Sequence, residues 1–165
     1  MALIGCLTTQ KLVGILASEQ GVTAAIGPLA AAQGLVLPPI AKLQIIAQNA
    51  AAEIFERSTG KKYPVIHAYC AKIVNLQREK FRVFSGEAQM VVEARVSQDR
   101  MDELESRVQT YAGAITQVLE ESRGDWGDGI CYNGGYEVIF GGVKQGGNNF
   151  IQTAKISFVL DISRD

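Results

Sequence analysis

The chain has no excess of either charge. Its 16 Lys and Arg nearly balance 17 Asp and Glu, for a net charge of −1. No cluster of basic residues with interleaved aromatics stands out, which argues against a dedicated nucleic-acid binder. Histidine is almost absent, His67 being the single one, and the three cysteines, Cys6, Cys70 and Cys131, lie far apart. An odd, scattered set of thiols excludes a disulfide framework and fits a reducing compartment. His67-x-x-Cys70 offers too few ligands for a structural zinc site, which wants four. With one histidine, a Ser or Cys triad has a single possible base. No apolar run approaches the ~18 residues that suggest a membrane span. Leu3-Ile4-Gly5-Cys6 looks like a lipoprotein cleavage box, but too few residues precede it for the basic and apolar segments such a box follows. We expect no cofactor, no metal and no membrane partner.

Phosphate-binding signatures are missing as well. Nine of the 17 glycines fall between Gly124 and Phe150, which invites comparison with a phosphate loop. A Walker loop needs Gly-Lys-Ser or Gly-Lys-Thr before a helix, and neither tripeptide occurs. Gly127 and Gly129 begin a GxGxxG pattern, but Tyr132 stands at its third glycine and a strand is expected next. Asn133-Gly134 and Gln145-Gly146-Gly147-Asn148 read instead as hairpin turns. Two hairpins, or one long hairpin with a mobile tip, are expected there. Asp125-Trp126-Gly127-Asp128-Gly129 hints at calcium but lacks EF-hand spacing and a closing Glu. Glu120-Glu121 reads as the solvated end of a helix.

What is present is a globular composition, 47% hydrophobic and 20% charged, in a chain of 165 residues. That length is most simply one domain and buries roughly 70% of its unfolded surface. Charge is unevenly spread: residues 1–41 carry only Lys11 and Glu19. A segment with so few charges is hard to solvate, and packing between subunits would cover it. We therefore set apart residues 1–38 as an apolar helical segment and 39–165 as an α+β domain. Leu12, Leu16, Ile26, Leu29, Leu35 and Leu37 are the expected subunit-interface residues.

Periodicity then predicts a helix from Thr8 or Thr9 to before Gly21, and a short helical turn from Pro28 to Gly34. A longer helix from Pro39 carries Ile40, Leu43, Ala47, Ala50 and Ile54, with Gly60 past its end. Period-two stretches follow at Val65–Leu76 and Phe81–Val96. In the latter, Phe84, Ala88, Met90, Val92, Ala94 and Val96 alternate with Glu87, Gln89, Glu93 and Arg95, so one face is core and the other is wet or meets a partner. A helix capped by Asp99 runs to Glu121 with an apolar stripe from Met101 to Leu119. Strands at Tyr136–Val143 and Phe150–Ile162 close the chain. The expected fold is α+β, a mostly antiparallel sheet of about four strands packed on one long amphipathic helix.

This succession carries a resemblance. Tyr63-Pro64-Val65-Ile66, the strand from Phe84-Ser85-Gly86-Glu87 to Val96, the helix DRMDELESRVQTYAGAITQVLEE, a Gly-rich hairpin and a last apolar strand together resemble tail terminator (tail completion) proteins of tailed bacteriophages and, more loosely, neck proteins. The resemblance spans roughly residues 39–165 and rests on element order. It implies a non-enzymatic virion protein assembled in the host cytoplasm. Such proteins form rings, typically hexamers, that cap the tail tube and join the head. The implied partners are further copies, the tail tube protein and head-completion or neck proteins. DNA would pass without specific binding, since phosphate affinity comes from Lys and Arg. The hairpin Gly141, Gly142, Lys144, Gln145, Gly146, Gly147, Asn148 and Asn149 would line the lumen or reach a neighbour. Two alternatives remain. One is a small-molecule-binding or enzymatic α+β domain with the Asp125–Asn149 loops as a lid. The other is a component of a phage-derived secretion tube.

Overall fold

The computed structural model describes residues 3–50, 55, 57 and 62–165. In chain order its elements are α1 (Ile4–Leu16), α2 (Val22–Ala32), a 3-10 turn (Lys42–Gln44) and β1 (Ile45–Ile46). Then come β2 (Val65–Asn75), β3 (Phe84–Gln98) and α3 (Leu104–Glu121). The chain ends with β4 (Gly124–Gly127), β5 (Ile130–Tyr132), β6 (Glu137–Phe140), β7 (Lys144–Gly146) and β8 (Asn149–Arg164).

The expectation of about four antiparallel strands on one long helix is overturned. Among the described residues the sheet has eight strands and curls into a half-barrel. Its order is β1-β2-β3-β8-β5-β4, with β6 and β7 also on β8. It is mixed, because β1 runs parallel to β2, with Ile45 opposite Ile66. Nor is the long helix alone: α2 packs along α3, and α1 packs on β2. Two physical reasons explain the miscount. Strands of two to four residues are too short for alternation to show, and Gly-rich connections hide them. Ile40, Leu43 and Ala47 also fit helical spacing, yet the chain from Ile45 is extended because β2 offers it a partner. Much of the rest of that expected helix lies outside the described residues.

The long strands obey period two. Ala88, Met90, Val92, Ala94 and Val96 of β3 and Ala154, Ile156, Phe158, Leu160 and Ile162 of β8 are buried on one face. Against that face α3 lays Leu104, Val108, Tyr111, Ile115, Val118 and Leu119. Helix α3 starts later than an Asp99 cap predicts: bends and turns at 99–103 follow β3, and Glu103, just before the helix, has φ 63. Helix α1 starts earlier, and Thr8 lies one turn inside it, its Oγ1 donating to Ile4 O at 2.9 Å. Its buried stripe is Ile4, Thr8, Leu12 and Leu16, spaced so that one face meets the core. Pro28, expected to open a helical turn, lies inside α2.

Candidate functional site

The six N-terminal interface candidates divide. Leu12, Leu16 and Ile26 belong to the chain's own core, in one cluster with Ile66, Tyr111 and Ile156. Their lack of charge is thus accounted for within one chain. Leu29 and Leu37 pack partly against the same cluster, and Leu35 is half-buried. Between the last two, Val36 is 89% exposed. Lys11, one of the two charges in residues 1–41, donates to Trp126 O at 2.8 Å and pairs with Asp128 at 2.7 Å. That tie pulls the Asp128 carboxyl below its ordinary range. The acid-rich loop Asp125–Gly129 is engaged internally, since Asp125 also accepts from Gly127 N–H at 2.7 Å.

The Gly-rich segment forms one long interrupted arm along β8. Antiparallel pairs run from Ile130 opposite Ile162, through Glu137 opposite Ser157, to Gly146 opposite Asn149. Between Cys131 and Glu137 the arm uses two more residues than β8 does, and between Phe140 and Lys144 one more. Asn133-Gly134 is therefore an expansion within the arm, not a hairpin turn. The tight turn lies earlier, at Asp128-Gly129, where both residues have positive φ (57 and 73) and join β4 to β5 as a type I′ turn requires. The tip turns at Gly147-Asn148, with Gly147 at φ 64. The expected hairpin residues do come together there: Lys144, Gln145 and Gly146 form β7, Gly147 and Asn148 the turn, and Asn149 opens β8. Gly141 and Gly142 form the joint before β7, where Gly141 donates to Thr153 O at 2.8 Å.

This arm leaves an edge open. Among the described residues, β6 and β7 pair with β8 alone. Along them Ile139 is 53% exposed, Phe140 43% and Val143 37%. Among the described residues the opposite edge is open too. β1 covers only Ile66 and His67 of β2, and Ala71, Lys72 and Asn75 are exposed. After Ile46 the chain leaves β2, and a groove of about 500 Å³ opens there. It is lined by Ala47–Asn49, by Gly5, Cys6, Thr9 and Gln10 of α1, and by Tyr69–Ile73. Unpaired strand edges with apolar side chains are templates for pairing, a feature that strand alternation alone does not reveal.

A second feature lies on the sheet face away from α3. Glu93 and Arg95, expected on a wet face or at a partner, are largely covered, with side chains 15% and 4% exposed. Arg95 Nη2 donates to Glu93 Oε2 at 2.7 Å and to Ala50 O at 2.6 Å. Its Nη1 lies 3.1 Å from His67 Nδ1. Arginine only donates, so Nδ1 accepts and the imidazole proton sits on Nε2. Among the described residues that Nε2 is buried without a hydrogen-bond partner, and the Phe55 ring stands edge-on at 5.0 Å. Burial, then the nearby Arg95, pulls His67 down to about 4, with Glu93 opposing. Tyr69 donates to Glu93 Oε1 at 3.2 Å. Its phenol is pushed up to about 12 by burial and by Glu93. At neutral pH the cluster is therefore a neutral histidine, a neutral tyrosine and one ion pair, an arrangement that locks β2 to β3. Ala50 and Phe55, which follow β1 in the chain, lie against this cluster, and no local pattern in β3 announces that.

No protein-family model matches the chain, and no curated protein matches it. Among the described residues no helix is long and apolar enough to cross a membrane.

Proposed function

We propose that the chain is a non-enzymatic structural subunit of a tailed bacteriophage. It assembles as a ring, a hexamer on the resemblance stated above, that terminates the tail tube and joins it to the head. Its partners are further copies of itself, the tail tube protein and head-completion or neck proteins. It resides in the virion after assembly in the host cytoplasm, and DNA passes it without specific contacts.

The observation that carries this reading is the open β6–β7 edge. Ile139, Phe140 and Val143 stand exposed beside backbone groups that no neighbouring strand takes up among the described residues. An edge of that kind is a liability in a monomer and an asset in an assembly. The test is direct. Light scattering and negative-stain microscopy on purified protein should show closed rings whose mass is a multiple of 17.8 kDa. A concentration-independent monomer whose melting shifts with a small ligand overturns the reading in favour of a ligand-binding domain.

A further inference from the structure

A ring needs a surface that joins each copy to the next, and this sheet carries two halves of one. We infer that β6 of one subunit adds antiparallel to the exposed length of β2 in a second copy, so that the sheet continues across the contact. The choice of a second copy as occupant rests on the ring reading above.

Backbone direction identifies the groups that meet. Gly141 N–H donates to Thr153 O at 2.8 Å, in the register that sets Phe140 opposite Ala154. Bonded and non-bonded pairs alternate along an antiparallel ladder. Glu137 and Ile139 therefore turn their N–H and C=O toward β8, while Val138 and Phe140 turn theirs outward. On β2, Leu76 N–H donates to Ser85 O at 3.0 Å. By the same alternation Lys72 and Val74 face β3, while Ile73 and Asn75 face outward.

The two outward sets are compatible. Val138 and Ile73 both pack partly against the core, so placing Val138 opposite Ile73 matches free amides with free amides and keeps core faces on one side. On the other face the same alignment sets Ile139 opposite Lys72 and Glu137 opposite Val74. An acid then lies diagonal to a cation, and two aliphatic side chains lie in the same patch, contacts that favour cross-strand pairing. Direction agrees as well. Three antiparallel steps separate β2 from β6, through β3 and β8, so β6 runs opposite to β2. Rotation about an axis along the strands preserves that relation and makes the new seam antiparallel. The contact joins different surfaces, so it is heterologous and closes into a ring when the rotation closes. Among the described residues the groove beside Tyr69–Ile73 leaves the lane open for an added strand, the mode in which main-chain bonds give affinity and side chains give specificity.

Sedimentation velocity over a concentration series tests the seam. Phe140→Pro removes an outward N–H and no bond of the β6–β8 ladder. It should weaken association about tenfold or more while far-UV circular dichroism stays unchanged. Lys72→Glu and Glu137→Lys should each weaken association, and the two together should restore it. If wild type assembles and both the proline and the charge variants assemble equally well, the seam is overturned while the ring reading stands. If wild type stays monomeric at every concentration, the ring reading falls and the seam with it. If Phe140→Pro fails to fold, the charge exchange decides alone.

Discussion

The two sides of β8 are paired very differently. On one side β3 pairs with it without a break from Phe84 opposite Arg164 to Gln98 opposite Phe150. On the other side β5, β6 and β7 take it in three short stretches, with extra residues between them. The first ladder is built from alternating β-branched, small apolar and polar residues, and its inner face is buried under α3. The second is built from a glycine-rich segment, which has few side chains to bury and much freedom to lose on ordering. The comparison teaches where stability and association reside: the unbroken ladder holds the core, and the broken one leaves amides and apolar groups free for another strand.

The sharpest way to break that comparison is to truncate one isoleucine on each side. Ile156 is fully buried beneath α3, and Ile156→Ala should cost about 4 kcal/mol in urea unfolding. Ile139→Ala should cost within about 0.5 kcal/mol in the isolated subunit, its effect showing only in assembly. Equal losses would mean the arm is part of the core. The arm itself contains a second contrast. A Cβ on Gly129 would sit 1.9 Å from Ser163 O, and its φ of 73 disfavours any side chain. A Cβ on Gly142 would meet nothing within 4 Å among the described residues beyond its chain neighbours. Gly129→Ala should therefore lower stability by about 3 kcal/mol, and Gly142→Ala by no more than about 0.5 kcal/mol. Thermal melting of the pair checks this, and a tolerant Gly129 would show the β4–β5 turn to be dispensable.

The far side of β3, where it meets β2, adds a pH dependence. His67 is held at about 4 against an ordinary 6.5, so the unfolded chain takes the proton first. Its stabilising contribution is complete above pH 6.5 and declines as pH falls toward 4, by about 3 kcal/mol in all. His67→Gln keeps an acceptor for Arg95 and does not titrate. Its unfolding free energy should fall less than that of wild type between neutral pH and pH 4. Parallel declines in the two proteins would show that His67 is not responsible. A smaller effect than that of His67 is expected at the arm's tip. Gly147 has positive φ, and a Cβ there would meet nothing within 4 Å among the described residues beyond its chain neighbours, so Gly147→Ala costs about 1 kcal/mol. Hydrogen exchange of Lys144–Asn149 should rise while α3 stays unchanged.

Legibility followed length. The faces of β3 and β8 and the stripe of α3 were readable because many residues repeat one period. β1, β5 and β7 span two or three residues, too few for any period, and Leu43 and Ala47, which flank β1, satisfied a helical spacing. The long hairpin was readable as one of two outcomes, and its tip turn fell within Gln145–Asn148 as expected, but one turn was misplaced: Asn133-Gly134 has hairpin chemistry, yet the chain continues along β8. The apolar N-terminus was readable as a segment that must be covered. That its leucines face their own core depended on α1 and α2 reaching the sheet and α3, contacts distant in sequence.

By itself, then, the sequence determined the inner faces of the long elements, the near-neutral charge and the turn-rich arm, because periodicity and composition are local properties. The tertiary structure alone decided which edges stay open. It decided that Arg95, Glu93 and His67 lie covered together, and that Lys11 ties α1 to the β4–β5 turn. These are matters of which distant segments meet, and hydrogen bonding and burial between such segments leave no periodic trace in the chain.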